Sequence, residues 1–191
     1  MWQTSELLRG MRAIGPGDAA PPFETTVLNG STVRVPTTQS WTLISFLRYA
    51  SCPMCNLRVR ELAFRSAELE GQGITWVAVF HSSRRRLEPF VHGEQLRHVI
   101  ADPARVLYER YGVGQSWWGM LLTMFVPSFY WRFLQATALG YWGGAIDGGF
   151  HSMPADFLVS PEGVVRLAHY GRHIGDHVNV AALLNAVRNR A

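Results

Sequence analysis

The sequence predicts an α/β fold around a mainly parallel sheet, and two observations carry that prediction. Two apolar runs of the buried-strand type, Trp41 to Leu47 and Ile74 to Phe80, are separated by a segment with helical periodicity. Strands alternating with helices in this way imply βαβ units. In addition, Cys52-Pro53-Met54-Cys55 lies just beyond the C-terminal end of the first run.

The 191 residues, 48% hydrophobic and 17% charged, have the size and balance of one domain spanning residues 1–191. The formal charge of +4 comes with 18 basic residues, all of them arginine. Their only cluster is Arg84-Arg85-Arg86, too short for a nucleic-acid-binding stripe, so no nucleic-acid partner is expected. Residues 1 to 20 contain Glu6, Arg9, Arg12 and Asp18 and no apolar run, which predicts no secretory leader and a cytoplasmic location. Two cysteines three positions apart cannot staple a domain of this size. In a reducing compartment such a pair reads as catalytic or metal-binding.

In chain order, Thr4 to Met11 has the pattern of a short amphipathic helix, closed by Gly15-Pro16-Gly17. Phe23 to Val35 alternates apolar and polar residues around Asn29-Gly30 and predicts a β-hairpin. Trp41 to Leu47 follows as a strand covered on both faces. From Asn56 to Glu70, Val59, Leu62, Ala63, Ser66 and Ala67 recur at helical spacing, and Gly71 and Gly73 end the helix. Ile74 to Phe80 is a second strand, a helix is expected within Ser83 to His92, and His98 to Ala101 forms a short third strand. Asp102-Pro103 has the form of an N-cap followed by proline at the first helical position.

Residues 111–150 break the rhythm as an aromatic-rich insertion. Between 111 and 146 Arg132 is the only formal charge, among Trp117, Trp118, Phe125, Phe129, Tyr130, Trp131, Phe133, Tyr141 and Trp142. Pro127, Arg132 and several glycines interrupt any membrane-spanning run, so the segment is expected to be a helical insertion packed on the sheet, without membrane-surface contact. Asp156 to Val159 and Val164 to His169 flank Ser160-Pro161-Glu162-Gly163 as an antiparallel hairpin. A last helix carries Val180, Leu183, Leu184 and Val187 as a stripe, with Asp176 as its expected cap.

A cysteine attacks as its thiolate, whose pKa of about 8.5 falls at a helix N-terminus or beside a cation. The strand delivers Cys52 to a helix start, and Arg48 lies close in sequence. The spacing puts Cys55 on the same face one turn later, within reach of a mixed disulfide on Cys52, and Pro53 suits the first helical turn. Buried structural thiols and half of a zinc site are the competing readings, but no second cysteine pair or paired-histidine motif supplies two further ligands. A copper or zinc carrier using Cys52, Cys55 and a histidine such as His151 remains the alternative, as does a redoxin-like scaffold that binds a partner through residues 111–146. Of the other histidines, His81 ends a strand on the side where α/β sites lie, and His169, His173 and His177 lack helical metal spacing.

Met153-Pro154 precedes the strand beginning at Ala155. In thioredoxin-like folds this place holds a cis proline facing the cysteine pair, so Pro154 is expected to be cis and, with Met153, Pro53 and Arg48, to line a substrate groove. The expected architecture is thus a thioredoxin-like fold with an N-terminal β-hairpin and the insertion at 111–150.

The chain resembles the peroxiredoxin-like branch of the alkyl hydroperoxide reductase/thiol-specific antioxidant family. Gly17-Asp18-Ala19-Ala20-Pro21-Pro22-Phe23 is similar to that family's opening, and Phe46 to Leu57 around Cys52-Pro53-Met54-Cys55 to its active site. The stretch from Asp102-Pro103 to Tyr111-Gly112-Val113 resembles a family helix. Gly143-Gly144 to Gly148-Gly149, Ser160 to Gly163 and Gly175-Asp176-His177 resemble the peroxiredoxin-like 2 subgroup. The resemblance implies Cys52 as the attacking and Cys55 as the resolving cysteine, a peroxide or disulfide substrate, a thioredoxin-type or low-molecular-weight thiol as reductant, no cofactor, and a homodimer as one assembly. Typical peroxiredoxins carry Thr or Ser where this chain has Tyr49, Pro where it has Ser45, and Arg where it has Met153-Pro154. Those departures, with the paired cysteines, lean the expectation toward disulfide exchange.

Overall fold

A five-stranded sheet organises the chain, and its two covered faces follow from the period-2 alternation of its central strands. The computed structural model describes residues 13–188; the helix expected over Thr4 to Met11 lies outside them. Strands β1 (Phe23–Thr26) and β2 (Thr32–Val35) form the expected hairpin, in register Phe23 with Val35, with Gly30 at φ +92° in its turn. Then come β3 (Trp41–Leu47), α1 (Pro53–Phe64), α2 (Ser66–Gly71), β4 (Ile74–Phe80), the single-turn α3 (Arg84–Leu87) and β5 (Val99–Ala101). The chain continues through α4 (Val106–Arg110), α5 (Trp117–Thr123), α6 (Pro127–Ala138), β6 (Ala155–Val159), β7 (Val165–Tyr170) and α7 (Val180–Arg188).

The strand order is β5-β4-β3-β6-β7. β3 and β4 run parallel with Trp41 opposite Ile74, whereas β6 is antiparallel to both β3 and β7. The sheet is therefore mixed rather than mainly parallel, because the chain re-enters it at β6 in the opposite direction after the insertion. Leu43, Leu47, Trp76, Ala78 and Phe80 point to one face, under Val59 and Leu62 of α1 and Leu183 and Val187 of α7. Ile44, Phe46, Val77, Val79 and Phe157 point to the other, under Tyr108, Tyr111 and the hairpin residues Phe23 and Val35. Both β3 and β4 are thus buried on two sides, which is why they read as continuous apolar runs.

Several helix boundaries differ from the sequence expectation for local reasons. The helix expected over Asn56 to Glu70 starts at Pro53 and breaks at Arg65, which joins α1 to α2 with φ −100° and ψ 9°. Ser66 causes the irregularity: its hydroxyl donates back to Leu62 O (3.3 Å) and accepts from Trp76 Nε1 (2.8 Å). Asp102 does serve as a cap, but from a distance. Its carboxylate accepts from the backbone N–H groups of Val106 and Leu107 (2.9 and 2.8 Å), so α4 begins three residues later than expected. Asp176 does not cap α7; Asn179 Oδ1 accepts from Ala181 N (2.8 Å), while Asp176 Oδ1 lies 3.0 Å from His169 Nε2.

The sequence reading missed a buried polar cluster behind α1. Asp156 of β6 accepts from Ser45 Oγ (2.6 Å) and Val178 N (2.8 Å), lies 3.0 Å from His177 Nδ1 and 3.6 Å from Arg58 Nη2. Burial opposes ionisation of this carboxyl, but attraction to His177 and Arg58 and hydrogen bonds from His177 and Ser45 outweigh it and hold the carboxyl far below the usual range. A carboxyl depressed in the folded chain stabilises it above the unfolded pKa of about 4, and that contribution is lost as pH falls through the folded value. Asp156→Ala is expected to cost about 3–5 kcal/mol at neutral pH, because the buried Arg58 would keep only the partly exposed Glu61 as counter-charge and His177 would lose its acceptor. Urea unfolding from pH 7 down to pH 2 should show the stabilities of parent and variant converging below about pH 4.

Candidate active site

Cys52 occupies the N-cap position of α1 with extended backbone (φ −68°, ψ 116°), and Pro53 follows in the first turn, where its missing N–H costs nothing. The loop from Arg48 to Ser51 that presents Cys52 is held from three sides. His81 N donates to Arg48 O (2.9 Å), Ala50 N to Ser82 Oγ (2.8 Å), and Asn56 Nδ2 to the carbonyls of Ala50 and Cys52 (2.8 and 3.0 Å). The glycine-rich end of the insertion clamps the same loop: Ser82 Oγ donates to Asp147 Oδ1 (2.8 Å) and Ser51 Oγ to Ala145 O (3.0 Å). A Cβ on Gly148 would sit 1.8 Å from His81 O, so only glycine lets this segment approach so closely.

Arg48 is the electrostatic centre of the site. It is 2% exposed, and its Nη1 lies 3.7 Å from Cys52 Sγ while its backbone N–H donates to Cys55 Sγ (3.3 Å). Nη2 donates to Phe150 O and contacts Met120 Sδ (3.4 Å), and the guanidinium rests against the rings of Tyr49 and Phe150 at 5.1 and 5.3 Å. Both cysteines are free and buried. Burial works against ionising Cys52, but a hydrogen bond from the Cys55 thiol, the Arg48 charge and the N–H groups of Cys55 and Met54 outweigh it and bring the pKa down to about 6. Cys55 moves the other way, raised by burial and by the neighbouring Cys52. The pair is thus divided into a thiolate and a protonated thiol, which is the division of labour that attack and resolution require.

Cys52 lines an apolar cavity of about 520 Å³. Met120 and Leu121 of α5, Phe129 and Phe133 of α6, and Phe150 and Ile174 wall it, together with Arg48, Tyr49, Pro53 and Met54. The insertion expected to pack on the sheet therefore covers the cysteine end instead. It is anchored there by Gly119, where a Cβ would sit 2.3 Å from Met153 Sδ, and by Thr123 Oγ1, which accepts from Ile174 N (3.2 Å).

Of the residues expected at the site, Cys52, Cys55, Arg48 and Pro53 converge. Met153 and Pro154 do not line this cavity. Pro154 is not cis; among the described residues the cis bond is Val35–Pro36. Its carbonyl accepts from Gly171 N (2.8 Å) and its ring lies against Gly171, so the entry to β6 is tied to the end of β7, and Met120 and Phe150 take the place facing Arg48. His81 accepts from Gly149 N (2.7 Å) and helps position the loop. His151, the third ligand of the metal-carrier alternative, is stacked on Trp117 with centroids 4.8 Å apart. Among the described residues no three His, Cys, Asp or Glu side chains converge on a point.

A family model described as AhpC/TSA matches residues 16–168. The chain belongs to the AhpC/TSA family. Solved structures agree on the fold. Peroxidoxin BcpB from Mycobacterium tuberculosis superposes with TM-score 0.65 at 13% identity, covering 93% of this chain and 99% of the other. A Chlorobium tepidum protein described as a DsbE thiol:disulfide interchange protein gives 0.58 at 20% identity over 92% and 99%. The C45S mutant of peroxiredoxin 6 from Arenicola marina gives 0.65 at 14% identity over 92% and 73%. These identities establish the thioredoxin-like fold of the AhpC/TSA chain and nothing finer. No curated protein sequence matches it.

Proposed function

We propose that this AhpC/TSA chain is a thiol peroxidase in which Cys52 attacks a hydroperoxide and Cys55 resolves the product. The observation that carries the reading is the single arrangement of a buried Cys52 at the base of an apolar cavity, with the Arg48 guanidinium 3.7 Å away and Cys55 in hydrogen-bond contact. The Cys52 thiolate attacks the terminal peroxide oxygen, the O–O bond breaks, and the leaving alkoxide takes a proton to depart as an alcohol. Cys52 is left as a sulfenic acid. The Cys55 thiol then attacks the Cys52 sulfur, its proton leaving with the hydroxyl as water, and an external thiol of the thioredoxin or low-molecular-weight kind returns two electrons. Arg48 supplies a positive charge beside the developing alkoxide, in place of the arginine that typical members carry before the late strand.

Peroxide is favoured over a protein disulfide by access. Cys52 is 1% exposed, which suits a small or narrow apolar oxidant better than a folded partner. The reading places the whole chain in one domain, with 111–150 as the wall of its site, working in a reducing compartment such as the cytoplasm.

Stopped-flow oxidation of the reduced protein tests it. Cumene hydroperoxide is expected to react at least about tenfold faster than a soluble protein disulfide, since the cavity buries its ring and excludes the larger partner. A faster reaction with the disulfide would move the chain to thiol–disulfide exchange. Cys55→Ser should consume one equivalent of hydroperoxide and stop, with a sulfenic acid trapped by dimedone and read by mass spectrometry, whereas the parent closes a Cys52–Cys55 disulfide.

A further inference from the structure

Helix α5 (Trp117–Thr123) is apolar except for Thr123, and α6 carries Phe129, Tyr130, Trp131, Phe133 and Leu134 around Arg132, a density of apolar residues that belongs in a protein core or a membrane. One side of each covers the cysteine cavity. The other side is uncovered: Trp117, Trp118 and Phe125 at the α5 end are 65, 76 and 81% exposed, Trp131 of α6 is 74% exposed, and Leu121 and Leu134 are 49 and 60% exposed. At 150–250 Å² per aromatic side chain, these rings alone leave on the order of 600 Å² of apolar surface in water, at the upper end of what a soluble monomer shows.

We propose that this face of α5 and α6 docks on the surface of an anionic lipid bilayer. Three features select a bilayer over other occupants. The first is charge. No carboxylate occurs between residues 111 and 146. Arg60, Arg65 and Arg132 line the groove between α1 and α6 on one flank, where Arg65 also faces Glu68 at 3.7 Å. Glu61, the acidic residue in that groove, faces Arg58 and Arg132 at 3.1 and 3.8 Å. An apolar aromatic face flanked by arginines matches acyl chains under negative headgroups.

The second feature is length. With 7 and 12 residues, α5 and α6 are about 10 and 18 Å long at 1.5 Å per residue, short of the ~30 Å hydrocarbon core, so they lie in the interfacial plane. The third is continuity with the cavity. Trp117, Leu121 and Phe133 line it and are also 65, 49 and 40% exposed, so they form its lips. A folded partner or a second copy seated on this face would stop the mouth. A fluid apolar phase leaves it open, and an apolar substrate dissolved there reaches Cys52 without crossing water. That consequence rests on the proposed activity; the docking does not.

The test is cosedimentation of the full chain with vesicles of phosphatidylcholine alone or with one-quarter phosphatidylglycerol. Binding to the anionic vesicles is expected to be at least about tenfold tighter than to neutral ones, to weaken in high salt, and to shift tryptophan emission to the blue. A Trp118→Ser/Trp131→Ser double variant should lose at least about tenfold in partitioning, since both rings are largely exposed and neither lines the cavity. Its rate of Cys52 alkylation in solution should equal the parent's, which shows the fold and site intact. No binding to either vesicle, equal binding to both, or an unchanged double variant would overturn the proposal. So would a parent that is dimeric by mass and a double variant that is monomeric, since the face would then cover a second copy. Loss of peroxidase activity with vesicle binding retained would overturn the function proposed above and leave the docking standing.

Discussion

Cys52→Ser is expected to lower the second-order rate of hydroperoxide reduction by about 10⁴-fold or more, the scale seen when a covalent nucleophile is removed from its machinery. A serine hydroxyl at this position is not ionised near neutral pH, whereas Cys55, Arg48 and the N–H groups at the α1 N-terminus outweigh burial and bring the Cys52 thiol down to a pKa of about 6. The fold should be indifferent to the change. Serine is close to isosteric with cysteine, and at the N-cap of α1 its oxygen can accept from the first-turn N–H groups. Rapid-mixing kinetics beside a thermal unfolding curve separate the two effects. A variant that kept more than a hundredth of the parent rate with an unchanged melting curve would remove Cys52 from the role of nucleophile.

Arg48→Met is expected to cost roughly 10²–10³-fold in the same rate at pH 7, through two routes that pH separates. In the parent, alkylation of Cys52 by iodoacetamide should rise through a midpoint of about 6. The largest single influence on that thiol is burial, which acts against the thiolate, so deleting the Arg48 charge leaves burial less opposed and carries the midpoint up. At pH 7 the thiolate fraction then falls from nearly all to a few per cent once the pKa passes about 8.5. Raising the pH restores that part of the rate. The remainder, the loss of positive charge beside the leaving oxygen, persists at every pH. If the midpoint of the variant stays near 6, Arg48 does not set the ionisation of Cys52. Methionine keeps the length of the stem but leaves Phe150 O without the guanidinium, so a modest loss of stability is expected as well.

The opposite expectations for the two cysteines have a common origin in their placement on one helical turn. Cys52 sits outside the first turn, where free N–H groups point at it, and Cys55 sits one turn in, where those groups are engaged and burial dominates. The same thiol that stabilises the Cys52 sulfur by donating to it is the one that, in the proposed mechanism, displaces its product.

How far the sequence carried depended on whether a feature was local. Strands β3 and β4 end at the residues the apolar runs delimit, because burial on both faces leaves a strand no polar positions to blur its limits. The hairpin followed from Asn29-Gly30, and the junction of strand, cysteine pair and helix from Pro53. Each of these is decided within about ten residues by backbone sterics and period. The break at Arg65 already escaped such reasoning, since it depends on Ser66 meeting Trp76 of β4.

The site itself was legible as a pair of cysteines and an arginine, but not as a geometry. Sequence proximity put Arg48 near Cys52; only packing under Met120 and Phe150 aimed its guanidinium at the sulfur. Pro154 was misplaced for the converse reason: its position before a strand fits a cis proline facing the cysteines, whereas its contacts with Gly171 of the neighbouring chain segment hold it elsewhere. The cluster around Asp156 gave no local signal, because its partners Ser45 and Arg58 come from elements about a hundred residues earlier in the sequence and His177 from the segment after β7.

By itself, then, the sequence determined the strands, the helix start beneath Cys52 and the placement of two cysteines one turn apart, all set by short-range sterics and helical spacing. The tertiary structure alone decided what surrounds them: which charge ionises Cys52, which helices wall the cavity, and that the outer face of the insertion is left bare. Those are relations between distant segments, fixed by how the two layers close on the sheet, and no local period encodes them.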